Sequence, residues 1–253
     1  MILDILEKKE LSKYITGGYN FSAYIRNKTF LITGSKGIVG SGIIKWILYE
    51  NRINGTNAHI IASTRNPQIR PGYIEDEDEV EYCMFGKEDV ECIDKHVDFI
   101  IHAASPTSNK DFIAKPVESL MIILNGTERM LKLARAHNAK MIYLSSEEVY
   151  GTPELNEAIT EEYVGAVNSL NTRNCYPLGK KTAELLCRSY FEEFGVDVKI
   201  IRPTVIIGLW QSYDSVKVES EILRCILENE NFLMKSDGST RKCVIYSMDV
   251  VAA

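Results

Sequence analysis

The stretch Thr29-Phe30-Leu31-Ile32-Thr33-Gly34-Ser35-Lys36-Gly37-Ile38-Val39-Gly40 decides the fold that we predict for this chain. Its first five residues form a short apolar run that is typical of a buried strand. A turn with three glycines follows, and apolar residues then recur at helical spacing as far as Tyr49. A strand, a glycine-rich turn and a helix in this order indicate a binding site for the phosphates of a dinucleotide.

The three glycines have distinct roles in such a turn. Gly34 permits the tight turn, Gly37 lets the backbone approach a pyrophosphate, and Gly40 allows close packing of helix against strand. The helix N-terminus adds amide groups and a partial positive charge. A plain strand-to-helix turn is the alternative. The predicted cofactor contacts within the turn are Gly34, Ser35, Lys36, Gly37, Ile38, Val39 and Gly40.

Strands and helices are predicted to alternate along the rest of the chain. Further apolar runs predict strands at residues 59–63, 97–102, 140–145 and 198–202, and helical patterns cover 117–137 and 176–194. Such alternation indicates an α/β fold, a Rossmann-like doubly wound parallel sheet with helices on both faces. Residues 1–27 are predicted to form an N-terminal helical extension. Residues 75–81, with six acids in seven positions, are predicted to be a solvated loop, and residues 151–174 a lid or binding loop.

Composition excludes several functional classes. The 253 residues carry 29 Lys and Arg against 35 Asp and Glu, a net charge of −6 without a basic patch, so we predict no nucleic-acid partner. No apolar run approaches the roughly 18 residues of a membrane span, and the first ten residues lack a signal core, so we predict no membrane partner. The six cysteines form no CxxC pair and do not cluster with the four histidines, which favours reduced thiols in a cytoplasmic protein and no metal site.

The end of the second predicted strand bears on cofactor choice. An acid there binds the ribose hydroxyl of NAD, whereas an arginine suits the extra phosphate of NADP. This chain has Ser63-Thr64-Arg65-Asn66, without an acid. The residues alone lean toward NADP and leave NAD open.

Two clusters of polar residues are candidates for acid–base chemistry. Tyr176 and Lys180 are four residues apart on a predicted helix and so share one face. An ammonium close to the phenol is expected to lower the pKa of Tyr176 from about 10. Ser146, Glu147 and Glu148 follow the fourth strand, where open α/β sheets place their ligands. An exposed Tyr–Lys pair and solvated loop acids are the alternatives.

These motifs together carry a resemblance to a known family. From about Lys28 onward the chain resembles extended short-chain dehydrogenases/reductases of the nucleotide-sugar epimerase/dehydratase family. The stretches 101–106, 145–151 and 173–180 are most similar to UDP-glucuronate decarboxylases and dTDP-glucose 4,6-dehydratases. The resemblance implies that residues 28–205 are an NAD(P)-binding Rossmann domain and that residues 206–253 are a partial substrate-binding lobe, apparently incomplete, with an exposed apolar surface.

The resemblance also implies roles for individual residues. Tyr176 is expected to be the base, tuned by Lys180, with Ser146, Glu147 and Glu148 as the other catalytic residues. Besides the glycine turn, the expected cofactor contacts are Ser63, Thr64, Arg65, Asp89, Val90, Ala103, Ala104, Ser105, Tyr176, Lys180, Pro203 and Val205. The expected contacts of a nucleotide-diphosphate sugar are Pro106, Ser146, Arg173, Arg241 and Lys242.

The implied reaction begins with oxidation of a sugar 4-hydroxyl to a 4-ketone by a cofactor that stays bound. Dehydration across C5 and C6 or decarboxylation then follows, and 4-epimerisation is the alternative. Ile123 and Val205 replace asparagines that are usual in the family, so a catalytically impaired dinucleotide-binding protein is a second hypothesis. A carbonyl reductase that releases its cofactor is a third. Relatives commonly form homodimers through two helices, which here are 117–137 and 176–194.

Overall fold

The computed structural model of the protein describes residues 2–64, 79–84, 93, 95–152, 158–213, 215, 217–234, 237–239 and 241–253. The helices are α1 (Ile2–Thr16), α2 (Ser22–Ile25), α3 (Ile38–Asn54), α4 (Asn109–Ala114), α5 (Pro116–His137), α6 (Cys175–Phe194), α7 (Val218–Glu228) and α8 (Ser247–Ala252). The strands are β1 (Thr29–Thr33), β2 (His59–Thr64), β3 (Val80–Met84), β4 (Phe99–His102), β5 (Lys140–Leu144), β6 (Val198–Ile201), β7 (Val205–Ile207) and β8 (Val244–Tyr246). Two 3₁₀ turns span Glu147–Tyr150 and Thr172–Asn174.

The main sheet has six parallel strands in the order β3-β2-β1-β4-β5-β6. β1 lies at the centre and pairs with β2 on one side and β4 on the other. The chain therefore reverses its direction of winding between β1 and β4, the point at which open α/β sheets form a ligand crevice. The predicted α/β, Rossmann-like doubly wound sheet is confirmed.

Alternate residues of β1 enter two separate cores. Leu31 packs with Met130 and Leu133 of α5 and Ala183 of α6 on one face. Its neighbours on β1 belong to the core on the other face, which includes Ile44 of α3. Because successive strand side chains point to opposite faces, an unbroken apolar run is what a strand with helices on both faces requires.

The structure corrects the prediction for residues 75–81. Glu79 is exposed, and β3 begins immediately after it and pairs in parallel with β2. Val80 is buried against the α3 side of the sheet, so the edge strand gains a core contact. The remainder of the acidic run, up to Asp78, lies outside the described residues.

The C-terminal region contains a second, two-stranded sheet. β7 and β8 pair in parallel, and Val205, assigned above to the cofactor domain, is the first residue of β7. α1 packs against this region and α3, because Leu11 joins a buried cluster with Trp46 and Met248. The division at residues 27 and 205 stays a prediction.

Candidate functional site

The glycine turn folds so tightly that side chains have no room at two of its positions. Gly34 has a left-handed backbone with φ +69°, and a Cβ there would lie 2.8 Å from the backbone of Ala103 and Ala104. A Cβ on Gly40 would lie 2.4 Å from the carbonyl oxygen of Gly34. The end of β1, the start of α3 and the residues after β4 therefore pack backbone against backbone. This packing fixes the conformation of the turn that would receive a phosphate.

A glycine and two serines shape the start of α3. Gly37 is the N-cap residue and has no side chain with which to cap the helix. Ser35, a predicted cofactor contact, instead donates its hydroxyl proton to the carbonyl of Ser63 at 2.9 Å. Its own carbonyl accepts from the Ser41 hydroxyl at 3.0 Å. The amides and dipole of α3 form a site that suits an anion.

The predicted cofactor-selecting residues are only partly described. Ser63 and Thr64 are buried at the end of β2. Arg65, Asp89 and Val90 lie outside the described residues.

Tyr176, near the start of α6, lies between an aromatic ring and a polar turn. Its ring stacks on Phe112 of α4 with centroids 4.8 Å apart, and its phenol shares a hydrogen bond with Ser146. Burial raises the pKa of the phenol and Glu148 adds to this, while the hydrogen bond to Ser146 and the charge of Arg173 lower the pKa.

The expectation that Lys180 lowers the pKa of Tyr176 is wrong for the protein as folded here. The ammonium lies 5.9 Å from the Tyr176 ring and donates instead to the carbonyl of Leu144 at 2.5 Å. It also lies 4.8 Å from the Tyr143 ring centroid. Lys180 is 2% exposed, and burial lowers its own pKa to about 7. The helical spacing brings the two residues to one face, but the end of β5 holds the ammonium.

The turn after β5 presents the two candidate carboxylates in different environments. Ser146 caps this turn by accepting from the Glu148 amide at 3.2 Å. Glu148 pairs with Arg173 at 3.4 Å. Burial and the neighbouring Glu148 raise the pKa of Glu147, against an opposing effect of Lys242. Glu148 is therefore ion-paired, while the raised pKa of Glu147 makes that carboxyl group easier to protonate.

Arg173, predicted to bind substrate, is held by residues of the protein. Besides Glu148, its guanidinium donates to Asn109 at 2.7 Å and lies 5.2 Å from the Phe112 ring centroid. Lys242 is exposed but close enough to act on Glu147, and Arg241 is exposed. The structure therefore brings Arg173 and Lys242 to the carboxylate turn.

Three buried hydroxyl oxygens at the ends of successive strands lack a hydrogen-bond partner in the described part of the chain. They follow β4, β5 and β6 and belong to Ser105, Ser145 and Thr204. Ser105 is one of the predicted cofactor contacts, and its neighbours Ala103, Ala104 and Pro106 are half-buried or exposed. Unpaired polar atoms in a crevice are available to a polar ligand.

The sequence did not predict a series of hydrogen bonds that links Thr127, His102 and Thr33. Thr127 donates to the carbonyl of Ile123 at 2.8 Å, so its oxygen accepts from Nε2 of His102 at 3.3 Å. Nδ1 of His102 then accepts from Thr33 at 2.8 Å, while the Thr33 oxygen receives the Ala104 amide. Burial lowers the pKa of His102 to about 3. Phe112 and Asn109 were also missed, since no local pattern marks them.

The fold and the site define an α/β protein with a dinucleotide-type glycine turn and a group of acid–base side chains beside it. Comparison with known proteins gives the family. A model of the NAD dependent epimerase/dehydratase family matches residues 30–253, and the chain belongs to this family.

Two relatives with which the chain shares sequence similarity are UDP-glucuronic acid decarboxylases. UDP-glucuronic acid decarboxylase 1 of Xenopus tropicalis is 30% identical over 225 residues, which are 88% of this chain and 52% of that protein. UDP-glucuronic acid decarboxylase 6 of Arabidopsis thaliana is 27% identical over 92% of this chain and 66% of its own length. The chain thus spans about half to two thirds of the length of these relatives.

Solved structures share the fold. A dTDP-glucose 4,6-dehydratase from Streptomyces venezuelae, with NAD and TYD bound, superposes with a TM-score of 0.73 at 21% identity over 88% of this chain and 69% of that one. A UDP-glucuronic acid 4-epimerase from Bacillus cereus, with UDP-glucuronic acid and NAD, gives 0.70 at 21% identity over 88% and 70%. Each helix among the described residues is too short or too polar to cross a lipid bilayer.

Proposed function

We propose that this protein is an NAD-dependent enzyme that oxidises the 4-hydroxyl of a nucleotide-diphosphate sugar to a 4-ketone and then removes water across C5 and C6. One observation carries the proposal: a phenol, a serine and two unlike carboxylates meet at the carboxyl ends of β5 and β6, beside the glycine turn. Tyr176 and Ser146 are hydrogen-bonded to each other, and Glu147 and Glu148 follow directly.

The residues fit a dinucleotide, because the glycine turn leaves no space for a side chain at Gly34 or Gly40, α3 begins at a glycine N-cap, and the buried Ser105 hydroxyl has no partner among the described residues. The turn from Gly34 to Gly40 would hold the pyrophosphate, and Ala103 to Ser105 would line the cleft. When bound, the cofactor accepts a hydride from the sugar and later returns it. Membership of an NAD dependent family supports NAD over NADP.

Tyr176 is the proposed base for the oxidation step. Its phenolate takes the proton of the sugar 4-hydroxyl, and Ser146, which shares a hydrogen bond with the phenol, holds that hydroxyl in place. The pKa of the phenol must fall on substrate and cofactor binding, since burial raises it in the protein alone. Lys180 is the proposed ribose contact, as its ammonium has donors beyond the one given to Leu144.

The two glutamates are proposed to divide the elimination step. The 4-ketone acidifies C5, and Glu148, which pairs with Arg173, takes the C5 proton. Glu147, whose pKa is raised, gives its proton to the departing 6-hydroxyl, which leaves as water. The double bond between C5 and C6 forms as these two bonds break. Its reduction would require the hydride that a bound cofactor would supply at C6, with a proton added at C5.

Decarboxylation is the second candidate, and the names of the relatives favour it. With a 6-carboxylate on the sugar, the same 4-ketone lets carbon dioxide leave from C5 without a proton donor at C6. Glu147 is then unnecessary, and its negative form beside Glu148 would repel the substrate carboxylate. The pair of adjacent carboxylates therefore favours dehydration.

Incubation with a panel of nucleotide sugars tests the proposal. Purified protein with NAD is given dTDP-glucose, UDP-glucose, CDP-glucose, GDP-mannose and UDP-glucuronate, and products are identified by mass. We expect the unaltered chain to remove water from one neutral hexose, and Tyr176→Phe to abolish this reaction. Glu147→Gln should stop dehydration but leave 4-ketone formation intact. Loss of carbon dioxide from UDP-glucuronate would establish the second candidate. No turnover of any sugar by cofactor-loaded protein would contradict both.

We also infer a homodimer in the cytoplasm. Apolar side chains of α5 and α6, the two helices predicted to pair, are exposed in the single chain: Val117, Met121, Ile122 and Leu185. Burying them against a second copy would form a four-helix interface. Among the described residues, Cys175, Cys187, Cys225 and Cys243 are not joined in disulfides, which supports a reducing compartment. Light scattering after gel filtration should give twice the chain mass, and Met121→Glu should halve it.

A further inference from the structure

Arg202, directly after β6, contacts three residues through its guanidinium. Its Nε and Nη2 donate to the two carboxylate oxygens of Glu184 at 2.9 and 2.7 Å, a two-pronged pairing. Nη1 donates to the Tyr150 hydroxyl at 3.0 Å and to the carbonyl of Glu161 at 2.8 Å. The guanidinium also lies 4.9 Å from the Tyr150 ring centroid.

These contacts join the two elements that carry the proposed catalytic groups. Glu184 lies on α6, one turn beyond Lys180 and two beyond Tyr176. Tyr150 ends the 3₁₀ turn that begins with Glu147 and is capped by Ser146. α6 and this turn are otherwise joined near the reacting groups by the hydrogen bond between Tyr176 and Ser146. Arg202 thus provides a second link, from the far side of the turn.

Glu184 has no part in the proposed reaction, yet its side chain is only 8% exposed. A buried carboxylate is costly unless a cation satisfies both oxygens, which the fork of Arg202 does and a lysine could not. The segment from 158 onward is held by the same guanidinium through Glu161. One arginine therefore fixes the helix, the turn and the following loop in a single arrangement.

We propose that Arg202 is a positioning residue, which holds the Ser146–Glu148 turn in register with Tyr176 through Glu184 and Tyr150. The proposal rests on the proposed function for its effect on turnover, but the geometry itself is independent of the substrate. Misplacement of reacting groups by about 1 Å is enough to lower a rate about 100-fold.

Four variants test the role in turnover. Arg202→Met and Glu184→Gln should lower kcat about 10- to 100-fold while KM and NAD affinity change less than about threefold. Arg202→Lys, which keeps the charge without the fork, should recover only part of the loss. Tyr150→Phe should lower kcat less than Arg202→Met does. The double variant should have the same kcat as Arg202→Met alone, because both changes break the same link.

Lys199→Met is the matched control, since it removes an exposed cation of β6 whose ion-pair partner is Asp197, at 3.2 Å. Its kcat should equal that of the unaltered chain. If Arg202→Met is folded and NAD-loaded but keeps its kcat within twofold of the unaltered chain, the proposal is wrong. A lower Tm without a change in kcat would show that the Arg202–Glu184 pair contributes to stability only. Additive effects of Arg202→Met and Tyr150→Phe would overturn the link through the turn.

A titration separates this proposal from the proposed function. The phenol of Tyr176 faces Ser146 and Glu148 on the turn, Arg173, Lys180 on its own helix, and Tyr143 of β5. The turn carries both Ser146, whose hydrogen bond lowers the pKa of the phenol, and Glu148, whose charge raises it, so a displaced turn should change this pKa. Ultraviolet difference titration of each protein against its Tyr176→Phe counterpart should show a shifted midpoint for Arg202→Met and Tyr150→Phe, and the midpoint of the unaltered chain for Lys199→Met. Unchanged midpoints would overturn the proposal even if no sugar is turned over.

Discussion

The carboxyl edge of β4 to β6 and the region around α7 use their side chains in opposite ways. At the sheet edge, buried polar groups such as His102, Lys180 and Glu184 are paired with backbone or side chains. Along α7, apolar side chains point into solvent, with Ile226 69% and Leu227 75% exposed. Val218, Ile222 and Leu223 are exposed on the same helix.

This contrast identifies where single substitutions matter. A paired buried polar group has few alternative partners, so its removal leaves the other member of the pair without a hydrogen bond. Exposed apolar side chains already contact water in the single chain, so replacing them removes few stabilising contacts.

Tyr176→Phe should have the largest effect. Loss of the phenol removes the proposed base and should lower the rate of 4-ketone formation about 1,000-fold. The ring stack on Phe112 is kept, so NAD affinity and Tm should change little. Single-turnover kinetics with the best sugar of the panel measures the rate. A loss below tenfold would assign the base elsewhere.

Gly34→Ala should have the second-largest effect. It should abolish NAD binding and lower the free energy of unfolding by about 3 kcal/mol. The new methyl group would lie 2.8 Å from the backbone after β4. Gly195→Ala is the matched control, because Gly195 has nearly the same φ, +71°, but open space around its Cβ position. The control should lose only about 1 kcal/mol by urea unfolding and still bind NAD. Equal losses would show that crowding at the turn is unimportant.

His102 should make the protein sensitive to acid. Its pKa of about 3 in the folded protein lies below the ordinary 6.5, so the unfolded chain alone binds a proton between these values. The stability is complete above pH 6.5 and falls by as much as about 1.4 kcal/mol per pH unit as the pH drops toward 3. In His102→Gln, urea unfolding should show a shallower slope over this range. An unchanged slope would show that His102 is protonated in the folded state.

Substitutions on α7 should have the smallest effect. Ile226→Gln and Leu227→Gln should each change the free energy of unfolding by less than about 0.5 kcal/mol and leave kcat unchanged. Thermal unfolding and the sugar assay check both. A loss of several kcal/mol would show that this helix face is covered in the folded protein, and the contrast with the sheet edge would fail.

The local pattern of the sequence predicted most of the sheet and placed the candidate residues at its carboxyl edge. It missed β3, because the acids before Val80 hide a strand whose burial comes from its pairing with β2. It predicted the wrong effect of Lys180 on Tyr176, because helical spacing does not reveal that the carbonyl of Leu144 takes the ammonium.

The contacts between distant residues could not be predicted at all. Arg202 meets Glu184 and Tyr150 across 18 and 52 residues of sequence, respectively. Arg173 was expected to bind substrate, whereas its partners Asn109 and Glu148 are known only once the helices are in place. Single residues without periodicity become recognisable only through the tertiary fold.

The central claim is that a sugar 4-ketone forms beside Tyr176, and trapping it is the most direct test. Protein loaded with NAD and the sugar that it converts is quenched with sodium borodeuteride, and deuterium is located in the recovered nucleotide sugar. We predict deuterium at C4 for the unaltered chain and none for Tyr176→Phe. Conversion of the sugar without deuterium at C4, or equal labelling in both proteins, would contradict the account.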